Sequence, residues 1–203
     1  MRRSPEEAAQ TRRALLAAAL EVFAERGYAS ATLAGIATRA GLTRGAVYHH
    51  FADKAELYLA TIAENWGEAA GPVWAHLEDP HLEPGERIRR FLVAFFTAFE
   101  RNPTLRTTFA MSMQGGEVPE LQVGLDDKRR VMDAWAGQLT ELLTAAGEDG
   151  RGTAVSPESG AIAIIAAVNG VAATWLACPD LFSPADQAHA LAHAILHGIF
   201  AAH

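Results

Sequence analysis

GLTRGAVYHHF, residues 41–51, decides the fold. Gly41 suits a tight turn because it takes positive φ without a Cβ penalty. Thr43 is a helix N-cap type. A short helix over 44–50 would turn Ala46, Val47 and His50 to one face and Arg44, Gly45, Tyr48 and His49 to the other. Upstream, Thr32 caps a second short helix over 33–40, with Leu33, Ile36 and Ala37 inward. Two short helices joined through Gly41 make a helix-turn-helix, a unit that lays its second helix in the DNA major groove. The outward residues fit that use. Gly45 lets the backbone approach a duplex closely. Tyr48 and His49 can bond phosphates or reach a base edge, and Arg44 can do either. Thr32 and Thr43 stand at helix starts, whose free N–H groups and positive dipole suit phosphate. Lys54 adds a point charge at the next helix, and Phe51 plugs the module. Two short core helices with polar surfaces are the alternative reading of the same residues.

Working outward, Leu15, Leu16, Ala19, Leu20 and Phe23 recur at helical spacing over 11–26, and Gly27 closes that helix. Asp53 and Glu56 form a capping-box pattern that opens a helix at Lys54. It runs through Leu57, Ile62 and Trp66 and should end or kink near Gly71-Pro72. Glu83-Pro84, Asn102-Pro103, Ser156-Pro157 and Ser183-Pro184 each announce a further helix. A long helix is expected over about 120–146, a polar loop over 147–155, and a last helix over about 185–201. The fold class is all-α, with about nine helices and no convincing strand. The expected division is an N-terminal DNA-binding domain over 1–53 and a C-terminal domain over 54–203.

Composition agrees. Half of the 203 residues are hydrophobic, Ala is abundant and the net charge is −7. Residues 1–60 hold eight Lys or Arg against six Asp or Glu, so the acidity lies in the remainder. That excludes broad nucleic-acid stickiness but permits a localised DNA contact. One cysteine, Cys178, excludes an internal disulfide. The first residues lack an apolar core of the signal-peptide kind, which points to a cytoplasmic protein. Residues 160–178 carry no charge, yet Asn169, Thr174 and many small residues suit a helix buried in a bundle or dimer better than a membrane span.

The run from Phe23 to Ala60 resembles the DNA-binding domain of TetR-family repressors. The matching residues are Phe23, Gly27 and Tyr28, then Thr32, Ile36 and Ala37. Ala40, Gly41, Gly45, Tyr48 and Phe51 follow, and then Lys54 and Leu57. The resemblance implies an all-helical homodimer that binds operator DNA, with a larger domain for a small-molecule effector. TRGAVYHHFADKAEL and, later, Gly170, Trp175, Leu176 and Pro179 are similar to the AcrR-like repressors of multidrug efflux pumps. In that branch the second motif lies in the dimer-forming penultimate helix. Two features depart from the pattern: His49-His50 replaces an aromatic-His pair, and Pro72 interrupts the fourth helix.

Aromatic and Met residues concentrate between Ile62 and Trp135. Many of them are ordinary core, and a subset should line an apolar effector pocket with few polar groups. The expected lining is Ile62, Asn65, Trp66, Phe95, Phe99, Phe109, Met113, Trp135, Gln138 and Asn169. Asn65, Gln114, Gln138 and Asn169 are the candidate polar anchors. The dimer is expected to form through helices 157–177 and 185–201 as a four-helix bundle. His189, His193 and His197 recur at one-turn spacing but lack a Cys or carboxylate at ligand spacing, so no metal and no cofactor are expected. No P-loop, GxSxG, HExxH or dinucleotide fingerprint appears, and Cys178 has no basic neighbour, so no enzyme is expected. A regulator of a metabolic pathway with a narrow metabolite ligand, and a DNA-binding regulator with no ligand, are the remaining alternatives.

Overall fold

The computed structural model describes residues 4–114, 118–147 and 154–200. Most of the expected loop over 147–155 lies outside them. The described chain folds into helices: α1 (Pro5–Ser30), α2 (Leu33–Arg39), α3 (Arg44–Tyr48), α4 (Lys54–Glu78), α5 (Pro84–Arg101), α6 (Pro103–Gln114), α7 (Val123–Ala146), α8 (Pro157–Ala177) and α9 (Ala188–His197). A 3-10 turn, Pro119–Leu121, precedes α7.

Local chemistry sets many of the boundaries. Ser4 and Glu7 form a reciprocal capping box at the start of α1, with Pro5 in the first helical position. Gly27 takes φ 70°, which interrupts α1 before helical bonding resumes as far as Ser30. The Asn102 carboxamide accepts from the Thr104 and Leu105 amides at 3.0 and 3.2 Å and starts α6. The Ser156 hydroxyl accepts from the Ser159 amide at 3.2 Å and starts α8.

Several expected boundaries move, beginning with α1, which starts at Pro5 ahead of the expected residue 11. No end falls at Gly71-Pro72, because α4 runs through Pro72 to Glu78. An interior proline costs a helix about 3 kcal/mol, and burial of Ala70, Val73 and Leu77 on either side of it offsets that loss. The last helix starts at Ala188 instead of 185. The reason is the Glu100 carboxylate, which accepts from the Ser183 hydroxyl at 2.8 Å and the Ala185 amide at 2.9 Å. These bonds hold the segment ahead of α9 in turns and lower the Glu100 pKa.

The chain separates into two compact units. The first holds Met1–Gly67 with Thr107–Leu125, and the second holds Glu68–Arg106 with Asp126–His203. This differs from the expected cut after residue 53: the division falls inside α4, inside α6 and near the start of α7. Packing explains it. The core of the first unit joins Leu15, Phe23, Tyr28, Ile36, Val47, Phe51 and Tyr58 with Met111 and Leu121. The Tyr58 hydroxyl donates to the Met111 carbonyl at 2.8 Å, and the Tyr28 hydroxyl donates to the Glu120 carboxylate at 2.8 Å. Burial pushes the Tyr58 hydroxyl up to about 12.

In the second unit α5 carries the buried stripe Ile88, Phe91, Leu92, Phe95, Phe96 and Phe99. It packs chiefly on α9 and also on α8. At Gly160, an added Cβ would stand 2.9 Å from a Leu143 methyl and 3.1 Å from one of Ile199, so a larger residue there would need those side chains to shift. The opposite face of α8 is open: Ile162 is 65% exposed, as is Leu181 beyond the helix at 67%. This helix is long and apolar enough to cross a membrane, with 28% of its apolar stretch buried.

Candidate nucleic-acid interface and effector site

The turn between α2 and α3 is built from the backbone outward. The Ala40 amide bonds the Ile36 carbonyl, Gly41 takes φ 67°, and the Leu42 amide returns to the Ala37 carbonyl at 2.8 Å. The Thr43 hydroxyl then accepts from the Ala46 amide at 3.3 Å and starts α3. Helix α3 ends at Tyr48, two residues short of the expected His50, and His49 and His50 form a turn. Ala46 and Val47 are buried and fix the helix in the core. Thr43, Arg44, Gly45 and His49 are exposed, and Tyr48 is 49% exposed. The Arg44 guanidinium donates to the Tyr48 hydroxyl at 3.1 Å and lies 5.5 Å from its ring centroid, so the two side chains are arranged as a pair. Beside Gly45 an added Cβ would meet only the Thr43 hydroxyl, at 3.9 Å, which leaves the backbone open to a close approach.

Thr32 caps α2 by accepting from the Gly35 amide at 3.1 Å. Arg26 reaches the same place, with its guanidinium 3.9 Å from where a Gly35 Cβ would stand. Arg26 is not among the contacts expected from the sequence. The frame behind these groups is tied by ion pairs. Arg39 on α2 meets Glu21 and Glu25 on α1 at 2.8 Å each, and the Arg39 hydrogen bond lowers the Glu25 pKa. Arg12 pairs with Glu64, and its guanidinium lies 5.3 Å from the Phe51 centroid.

Lys54 behaves differently from the expectation of a free phosphate contact. Its ammonium donates to the carbonyls of Tyr28, Ala29 and Ala31 at 2.8, 3.4 and 3.3 Å and lies 4.3 Å from the Tyr28 ring centroid. The break at Gly27 leaves carbonyls at the end of α1 without helical partners, and Lys54 satisfies them.

The ten expected effector contacts divide between the two units. Ile62, Asn65, Trp66, Phe109 and Met113 belong to the first, and Phe95, Phe99, Trp135, Gln138 and Asn169 to the second. In the first unit Trp66 stacks on Phe109 at 6.4 Å, and Met113 is 51% exposed. In the second, Phe95 and Phe99 stack at 5.7 Å, and Trp135 lies 5.4 Å from Trp74 and 5.9 Å from Phe91. The expected polar anchors are partly spent. The Asn65 and Asn169 amides donate to carbonyls one turn back, Thr61 and Ile165, at 2.8 and 2.9 Å. Gln114 is exposed and Gln138 half-buried. The buried side-chain polar atoms without a partner among the described residues are the Thr108 hydroxyl and the Trp135 indole N–H. An open groove of about 500 Å³ on the second unit is lined by Ala167, Gly170, Val171, Thr174, Phe182, Gln187 and Leu191. His189, His193 and His197 are all exposed, and the described residues contain no group of three or more side chains placed to hold a metal.

Comparison with known proteins assigns this architecture. Residues 15–61 match the family described as bacterial regulatory proteins, tetR family, and residues 84–201 match the C-terminal domain of BetI-type transcriptional repressors. The chain belongs to the tetR family. It is a helix-turn-helix transcriptional repressor. Among its family relatives, the HTH-type transcriptional repressor BepR of Brucella suis biovar 1 (strain 1330) is 32% identical over 178 residues, covering 87% of this chain and 85% of BepR. NalD, the secondary repressor of the MexAB-OprM multidrug efflux pump in Pseudomonas aeruginosa, superposes with TM-score 0.82 at 26% identity, covering 96% of this chain and 98% of NalD. SmeT in complex with triclosan shares the fold, with TM-score 0.80 at 24% identity, covering 95% of this chain and 92% of SmeT.

Proposed function

We propose that this tetR-family protein is a cytoplasmic, effector-released repressor that binds a palindromic operator as a homodimer and controls an efflux or detoxification gene. The observation that carries the reading is α3. Ala46 and Val47 lock the helix into the core, while Thr43, Arg44, Gly45, Tyr48 and His49 face outward. Such a helix reads the major groove, with Arg44 on a guanine edge and Tyr48, His49 and the Thr32 and Thr43 hydroxyls on phosphates. Arg26 joins the phosphate contacts. Lys54 holds the end of α1 in place and acts on DNA through that frame. The open apolar face of α8, together with α9, is the dimer surface, which brings two α3 helices to the two half-sites.

The effector is a small, largely apolar molecule. A coupling of about 1–3 kcal/mol between effector and operator lowers DNA affinity 5- to 150-fold. Efflux control is supported by NalD and by its full-length likeness to this chain. A narrow metabolite effector is the second reading. Catalysis has no part in either reading.

The test is fluorescence anisotropy on DNA from immediately upstream of the gene, at near-physiological salt and against scrambled competitor. A panel of phenols, apolar cations and antibiotics, triclosan among them, is then added. Selective binding released by a panel member supports efflux control. Selective binding that only a metabolite releases supports the second reading. Absence of sequence-selective binding in a genome-wide site selection would refute the operator reading.

A further inference from the structure

The second unit contains a polar atom that its own fold leaves unused. Trp135 on α7 is 5% exposed, and its buried indole N–H has no hydrogen-bond partner among the described residues. Its ring lies 5.4 Å from Trp74 and 5.9 Å from Phe91, and those two rings meet edge-to-face at 5.0 Å. A buried donor without an acceptor forfeits the hydrogen bond it had to water. Native proteins keep such groups where something outside the fold satisfies them. The Thr108 hydroxyl is also unpartnered, but a hydroxyl can rotate and accept as well as donate. The indole N–H only donates, in one direction set by a ring held among other rings. The Asn65 and Asn169 amides each already donate to a backbone carbonyl. Gln138 is half-buried and stands one helical turn beyond Trp135 on the same face.

We infer that the Trp135 indole N–H is the anchoring donor for the effector, and that the effector is therefore an aromatic molecule bearing an oxygen acceptor, such as a phenol or an aryl ketone. This rests on the effector reading above and narrows its chemistry. The flanking rings of Trp74 and Phe91 supply offset or edge contacts to the aromatic body. The oxygen accepts from Trp135. An apolar cation without an acceptor leaves the indole unsatisfied and binds more weakly.

The test uses the full-length protein with 15N-labelled indoles. Its four tryptophans give four indole signals, assigned by single Trp→Phe variants. The probes are 2-naphthol and naphthalene, which share a ring system and differ in one hydroxyl. The expected result is a downfield shift of the Trp135 indole proton with 2-naphthol and none with naphthalene. Trp135→Phe should weaken 2-naphthol binding about tenfold or more, equivalent to roughly 1.4 kcal/mol, and leave naphthalene binding unchanged. Three results would overturn the inference: a Trp135 signal that 2-naphthol does not move, equal movement with naphthalene, or a cross-peak from Trp135 to a resident water in the free protein. Operator release is measured separately by anisotropy. Release by 2-naphthol with an unmoved Trp135 signal retains the effector reading and refutes this anchor. A moved signal without release retains the anchor and refutes 2-naphthol as an effector.

Discussion

The outward face of α3 and the ring cluster of α5 and α7 present binding groups in opposite ways. On α3 the polar atoms of Thr43, Arg44, Tyr48 and His49 stand in water, so leaving them for a partner costs the free protein little. In the cluster, Phe91, Phe95, Phe96, Phe99 and Trp135 are all buried, and one unpartnered N–H sits among them at a cost. The first is an interface for a large, hydrated, charged partner that arrives from solvent. The second suits a small molecule that must exchange its water for aromatic surface. A candidate nucleic-acid contact is recognised by exposed polarity on a rigid frame, and a candidate effector contact by unsatisfied polarity in a dry one.

Four substitutions would sharpen or break that contrast. The largest effect is expected at Phe95, which touches Trp74, Phe91, Phe96 and Phe99. Phe95→Ala should cost about 3–5 kcal/mol of stability in denaturant unfolding. A cost below about 1 kcal/mol would mean that the rings wall an already open pocket and do not form a core.

Lys54 lies between the two classes. Lys54→Met should cost about 1–3 kcal/mol of stability, because carbonyls of Tyr28, Ala29 and Ala31 lose their donor. The salt dependence of operator binding should keep its slope. A slope reduced by about one with stability unchanged would return Lys54 to the phosphate contacts.

Arg44→Ala should leave the melting temperature unchanged and relax preference at one base pair by about 1–3 kcal/mol. A uniform loss over all sequences would make Arg44 a phosphate contact. The smallest effect belongs to Glu86, whose carboxyl is held down at about 2 by hydrogen bonds from Arg89 and then Arg90. Its folded pKa lies below the unfolded value. Its contribution is therefore complete above about pH 5 and is lost as pH falls through about 2. The group is partly exposed, so Glu86→Gln should cost less than about 1 kcal/mol at neutral pH and progressively less as pH falls toward 2. A larger neutral-pH loss in thermal unfolding would show that the pair anchors α5.

The sequence alone determined the parts of this protein that depend on neighbours a few residues apart. Gly41 at positive φ, Thr32 and Thr43 as caps, Ser156 before Pro157 and the buried stripe of α5 all follow from backbone geometry and helical period. The outward residues of α3 follow too, because Ala46 and Val47 fix which side faces the core. What the tertiary structure decided is where polar groups find partners far along the chain. Lys54 could not be told from a phosphate contact until the carbonyls exposed by the break at Gly27 lay beside it. Residues 107–125 could not be placed with the first unit until Tyr58 and Tyr28 were seen to bond Met111 and Glu120. Pro72 reads as an end or a kink, and the helix does not end there, with Ala70, Val73 and Leu77 buried around it. Asn65 and Asn169 look like anchors by residue type, while Trp135 holds the unspent donor. Helical propensity and capping act over one turn and are written in order along the chain. Satisfaction of a buried polar atom is a property of the packed whole, set by residues that the sequence separates.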